Sequence, residues 1–221
     1  MSAAPIRAAF AQAFREAWAG GAGMLLPATF FAGAAMLTPF AVGSDSEQLA
    51  SIGGGVLWVA LALASLVTME RLFQADLEDG ALDLWAQSDA PLSAVALAKT
   101  FAHWLVSGLP LALVSPVLGV MLQMEPARLP GAMLAYGIGG IAFFLWGAFG
   151  AALSATVRRG GLLIVLIALP FYVPTAIFGA MSLDAETPMP LIEMSLLSAA
   201  SLFALAVAPF GVAAALRLAA D

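Results

Sequence analysis

LPGAMLAYGIGGIAFFLWGAFGAALSATV (129–157) runs for 29 residues without a charged side chain. A helix crossing the hydrocarbon core of a bilayer needs roughly 20 mainly apolar residues, so this stretch is long enough with several to spare. Its apolar residues are continuous and do not alternate, which excludes a transmembrane β-strand. Five further charge-free windows flank it, at 17–44, 48–69, 100–124, 160–183 and 194–216, and their lengths are 28, 22, 25, 24 and 23 residues. The whole chain is 62% hydrophobic and 10% charged, with a mean hydropathy of +1.00. Soluble domains carry about a quarter charged residues. These windows predict an all-α polytopic membrane protein with six transmembrane helices in a single transmembrane domain over 1–221.

The expected spans are about 24–42, 52–69, 101–124, 132–157, 162–181 and 194–216. Four of them contain proline, which neighbouring helices in a bundle can accommodate by satisfying the freed carbonyls. Span 4 also carries small residues four apart, Gly147/Ala151/Ala155, Ala148/Ala152 and Gly150/Ser154. That spacing predicts a close approach by a second helix and nothing catalytic. Ahead of span 1, Ile6, Phe10, Ala13, Phe14 and Ala17 recur at helical spacing, opposite Gln12, Arg15 and Glu16. Residues 1–20 are therefore expected to form an amphipathic helix in the membrane surface. The first window is too long for the apolar core of a cleaved secretory signal, so it is expected to remain as a span.

Basic residues set the orientation. With a cytoplasmic N-terminus, one side receives Arg7, Arg15, Arg71, Lys99, Arg158, Arg159 and Arg217, and the other only Arg128. The positive-inside rule then places both termini and the 70–99 segment in the cytoplasm. The loops at 43–51, 125–130 and 182–193 fall outside.

Many chemistries are absent from the sequence. Without cysteine there is no disulfide, thiolate metal site or cysteine nucleophile, and a single histidine cannot build a His-rich metal site. The net charge of −6 argues against nucleic acid as a partner. Around Lys99-Thr100 the glycines of a phosphate-binding loop are missing, since Ala98 precedes the lysine and Ser93 stands where the first glycine belongs. No charge lies deep in any window, and no paired aspartates, HExxH or buried Ser–His set suggests an intramembrane protease. The chain reads as a non-enzyme that binds no cofactor or metal itself. His103, at the cytoplasmic edge of span 3 beside Trp104, is expected to be an interfacial residue and not an axial haem ligand.

The longest polar segment, ERLFQADLEDGALDLWAQSDAPLSAVALAK (70–99), holds six acids and two bases. Leu72, Phe73, Leu77, Leu84 and Trp85 form an apolar stripe at helical spacing. Asp79-Gly80 is a break, and Ser88-Asp89-Ala90-Pro91 is a helix start. Two short helices at the cytoplasmic surface are expected. An acidic surface disfavours anionic lipid headgroups, so the stripe is expected to meet a protein partner.

This region also carries a resemblance. RLF (71–73), Asp76, EDG (78–80), Leu82, Pro91-Leu92, AK (98–99), AHWL (102–105), GLPL (108–111) and SPVLG (115–119) are similar to the CcmB family. RRGG (158–161), LP (169–170), FG (178–179) and APF at Pro209 extend the likeness over essentially the whole chain. It departs at Trp85–Ala90, where relatives often carry a more aliphatic run ending in Ser-Pro. The resemblance implies an ABC-2-type permease of the bacterial inner membrane, the haem-export subunit of a cytochrome c maturation complex. It further implies a separate CcmA-like ATPase that uses ATP, CcmC-like and CcmD-like membrane subunits, a homodimer within the complex, and haem as cargo. The ATPase-coupling residues would be Arg71, Phe73, Asp76, Leu77, Glu78, Asp79, Gly80, Leu82 and Trp85. Phe73, Leu77 and Trp85 would be buried anchors, and Asp76, Glu78 and Asp79 a charged rim. An exporter subunit for another cargo (lipid, polysaccharide or drug) and a non-transporting scaffold that transmits ATPase motion are the alternatives.

Overall fold

A computed structural model of the chain describes residues 3–19, 22–70, 72–157, 160–184 and 190–220. Helices fill it, and no strand occurs among the described residues. The first, α1 (Ala4–Ala19), precedes six helices long and apolar enough to cross a membrane. These spans are α2 (Ala22–Val42), α3 (Ser46–Met69), the continuous run Leu92–Met121, α8 (Leu129–Ser154), α9 (Gly161–Asp184) and α10 (Leu191–Ala220). The run Leu92–Met121 comprises α6 (Leu92–His103), a π-helical turn at Trp104–Gly108 and α7 (Leu109–Met121). Between α3 and α6 lie the short helices α4 (Gln74–Glu78) and α5 (Ala81–Ala86). An even number of spans returns the chain to the face where it began, called the terminal face below.

Local chemistry sets the turns. Asp45 caps α3 by accepting a 2.8 Å hydrogen bond from the Gln48 amide. Gln123 closes α7 at φ +58°, with the Met124 amide donating to the Gly119 carbonyl and the Gln123 amide to that of Val120. This pairing satisfies the last carbonyls of the helix.

The bundle is built around α8, the most buried span, which packs on α3, α7, α9 and α10. Its small residues act as the sequence suggests. A Cβ on Gly150 would stand 3.0 Å from the Ile164 carbonyl oxygen of α9, so the two backbones approach closely there. Gly139 of α8 and Gly179 of α9 together make the slot for the Trp58 indole, which lies within 2.6 Å of where either Cβ would be. Tyr136 and Phe143 complete that aromatic centre. The exposed leucines, valines and phenylalanines are spread over the outer faces, most of all on α2 and α9, as expected of surfaces in contact with lipid tails.

Two expectations change. The third span's helix begins at Leu92, eight residues before the charge-free window that opens at 100, because Lys99 does not end it. In α1, which packs along α6, Ala9, Ala13 and Ala17 are buried, while the stacked rings run from half-buried Phe10, in a groove shared with Ala94, Leu97 and Phe101, to exposed Phe14 and Trp18. Alanine permits a close helix contact that phenylalanine would hold apart.

Candidate coupling site

The segment between α3 and α6 folds as its punctuation suggests. Gly80 adopts φ +74°, the left-handed conformation that separates α4 from α5. Pro91 then precedes the first turn of α6. The apolar stripe does not all face outward. Leu72, Phe73 and Leu82 are buried in the chain's own core, Leu77 and Trp85 are half-buried, and Leu84 is 71% exposed. Glu78, Asp79, Gly80, Asp83 and Asp89 are exposed in the same segment. Arg71 lies outside the described residues. Phe73 is therefore a core side chain and not a free anchor for a partner. The exposed patch is smaller than the sequence suggests and is centred on α5.

Asp76 is the larger revision. It does not stand on a rim: it is 2% exposed, and one carboxylate oxygen accepts from the ammonium of Lys99, itself 1% exposed. The other oxygen accepts from Gln12 Nε2 of α1 at 3.3 Å, and Gln12 also donates to Glu16 at 2.8 Å. Burial pushes the Asp76 carboxyl above the ordinary carboxylate range, against the opposing pull of Lys99 and Gln12. Three helices, α1, α4 and α6, thus meet at one buried polar point.

The sequence held a signal for this node. Lys99 is the only lysine, and no acid lies three or four residues from it on its own helix, so burying it requires a carboxylate from elsewhere. One turn further on, His103 is also buried, with Nδ1 3.3 Å from the Lys99 carbonyl oxygen. It faces the protein interior and not the membrane interface. Trp104 is likewise half-buried, its indole N–H enclosed beside Gly108 and Gly140. Between α1 and α5 runs a groove of about 530 Å³ lined by Ala4, Pro5, Ala8, Leu84, Trp85 and Asp89 among others. No cluster of three or more metal-ligating side chains occurs among the described residues.

The family model described as "CcmB protein" matches residues 6–219, nearly the whole chain. The chain belongs to the CcmB family. It is 43% identical to "Heme exporter protein B" of Paracoccus denitrificans over 206 residues, covering 92% of this chain and 94% of the relative. Identity to the protein of the same name from Bradyrhizobium diazoefficiens is 42% over 200 residues, covering 89% of this chain and 90% of the relative. For that of Escherichia coli K12 it is 35% over 206 residues, covering 92% and 94%. A family match of this extent takes in all six spans and the buried node together, so the CcmB assignment applies to the bundle as a whole.

Proposed function

We propose that this CcmB-family chain is the permease subunit of an ATP-driven complex that exports or delivers haem in cytochrome c maturation, in the bacterial inner membrane. In this reading the terminal face is cytoplasmic, following the basic residues. A CcmA-like ATPase docks on it, CcmC-like and CcmD-like subunits lie alongside in the membrane, and two copies of this chain form the permease. The relatives' name, heme exporter, supports haem as the cargo. The chain itself holds no phosphate-binding loop, so the energy must come from a partner.

The observation that supports ATPase coupling is the α4–α5 patch. An exposed Leu84 and a half-buried Trp85 share a segment with the exposed Glu78, Asp79, Asp83 and Asp89, and Phe73 and Leu82 of that segment are buried in the bundle. An apolar centre with a charged rim is the arrangement of a protein interface, where one or two large side chains carry most of the affinity. The acids would meet a basic surface and set the encounter rate more than the residence time.

Copurification of the ATPase subunit with this chain in mild detergent tests the proposal. Leu84→Ala should cost about 2 kcal/mol of binding, some thirtyfold, while leaving the permease inserted. Asp83→Asn should weaken capture less, and more at low salt than at high salt. Undiminished capture and ATP turnover with Leu84→Ala and Trp85→Ala combined would refute the docking role.

A further inference from the structure

An interfacial lysine usually extends its stem along the apolar surface and leaves its ammonium in water. Lys99 does the reverse. Its amine turns inward to Asp76, which comes from a different helix 23 residues earlier, and water reaches neither group. Such a pair is costly to assemble and still more costly to break from one side, so it holds its two helices in one arrangement. Gln12 adds α1 to the same point, and α1 packs along α6. Leu72, Phe73 and Leu82 are buried in the bundle's core, and α5 packs on both α6 and α10. Docking surface, α1 and α6 are thus joined.

The helix changes character just past this block. The Leu109 amide donates to the Trp104 carbonyl, five residues back, so the turn at Trp104–Gly108 is wide. Pro110 follows and has no N–H to return to the preceding turn. Gly108 lies against Phe144 of α8, where a Cβ would come within 2.9 Å of the ring, and the buried indole N–H of Trp104 has no partner among the described residues. Wide π turns interrupt the regular ladder and are found frequently at functional sites. Beyond it, α7 is packed against α2, α3 and α8.

We infer that Lys99 is a positioning residue that, through Asp76 and Gln12, makes the docking surface and the inner half of span 3 one lever pivoting at the π turn Trp104–Gly108. The inference rests on the reading of α4–α5 as the ATPase-docking surface. ATP-driven movement of the partner would then tilt α6 against α8 and α10, on which it packs, and pass directly along span 3 to α7 through the turn.

Replacing one member of the pair strands a buried charge, so the test changes both. In the assembled complex, Asp76→Asn with Lys99→Met should capture the ATPase as the wild type does. Its yield of holocytochrome c per ATP hydrolysed should fall about tenfold, within the usual span of a coupling free energy. The reversed pair, Asp76→Lys with Lys99→Asp, should recover at least half of the yield. Hydrogen exchange on the wild-type complex gives a second readout that needs no variant. Adding ATP should change exchange at 104–109 and leave 92–103 unchanged.

Wild-type yield from the neutral pair would show that the pair only packs the core, and would overturn the inference. So would a reversed pair no better than the neutral one, or ATP-dependent exchange confined to 92–103. Normal ATPase capture in any of these cases would leave the docking proposal standing. Failure of the wild-type complex to hold the ATPase through α4–α5 would overturn both.

Discussion

The chain has two ion pairs among its described residues, one toward each face of the bundle, and they are built oppositely. Lys99–Asp76, on the terminal face, joins two helices and is shut away from water. Arg128–Glu125, on the other face, spans three residues within one turn at 3.0 Å, with side chains 32% and 60% exposed. Arg128 also donates to the Leu183 carbonyl at 3.1 Å, fastening the turn to the end of α9. In water an ion pair contributes little, because solvent screens it and two flexible side chains must be held still. Inside the protein the same pair becomes a rigid joint, since either charge alone is strongly penalised. The face proposed to receive the ATPase has the joint, and the described residues of the opposite face have a clasp.

Substitutions can break or sharpen this contrast. Lys99→Met should cost about 3–5 kcal/mol, because it leaves the Asp76 carboxylate buried without its cation. Loss of the inserted protein, or a large fall in thermal midpoint in detergent, is the expected result. Phe73→Ala, under the same joint, should cost a similar 3–5 kcal/mol as a core cavity while the ion pair stays intact. A small effect on stability together with weakened partner capture would return Phe73 to the role of an external anchor.

Gly80→Val should cost about 1–3 kcal/mol by placing a β-branched side chain at positive φ, although no neighbouring atom obstructs it. Circular dichroism melts of the purified chain measure this directly. At the opposite face, Glu125→Gln should change stability by only about 0.2–1 kcal/mol. Raising the salt from about 0.1 to 1 M shortens the screening length from about 10 to 3 Å, and should erase this last difference while leaving the Lys99→Met difference in place. Equal salt sensitivity at the two ends would contradict the contrast.

The six spans were legible because membrane crossing demands length and apolarity, and both are written along the sequence without reference to anything distant. The break at Gly80 and the helix start after Pro91 were legible for the same local reason. The joint was less so. Asp76 looks like one acid among six in 70–99, and nothing local says that it faces inward. Its burial follows from Lys99 on another helix and Gln12 on a third, and hydropathy windows stop at any charge without asking whether it is neutralised. The same rule cut span 3 short at residue 100. Likewise, Phe73 and Leu84 share one apolar stripe, and only the packing of α4–α5 on the bundle sends the first inward and the second outward.

The α4–α5 patch is proposed to meet an ATPase on the terminal face, and the opposite face is not. The chain contains no cysteine, so a single introduced thiol reports from one place. Leu84→Cys and Glu125→Cys, each carrying a short photoactivated cross-linker, should be compared in membranes holding the assembled complex. Leu84→Cys should join to the ATPase subunit, and Glu125→Cys should not. Cross-linking of the ATPase from position 125, or none from position 84 in a complex that still contains the ATPase, would contradict it.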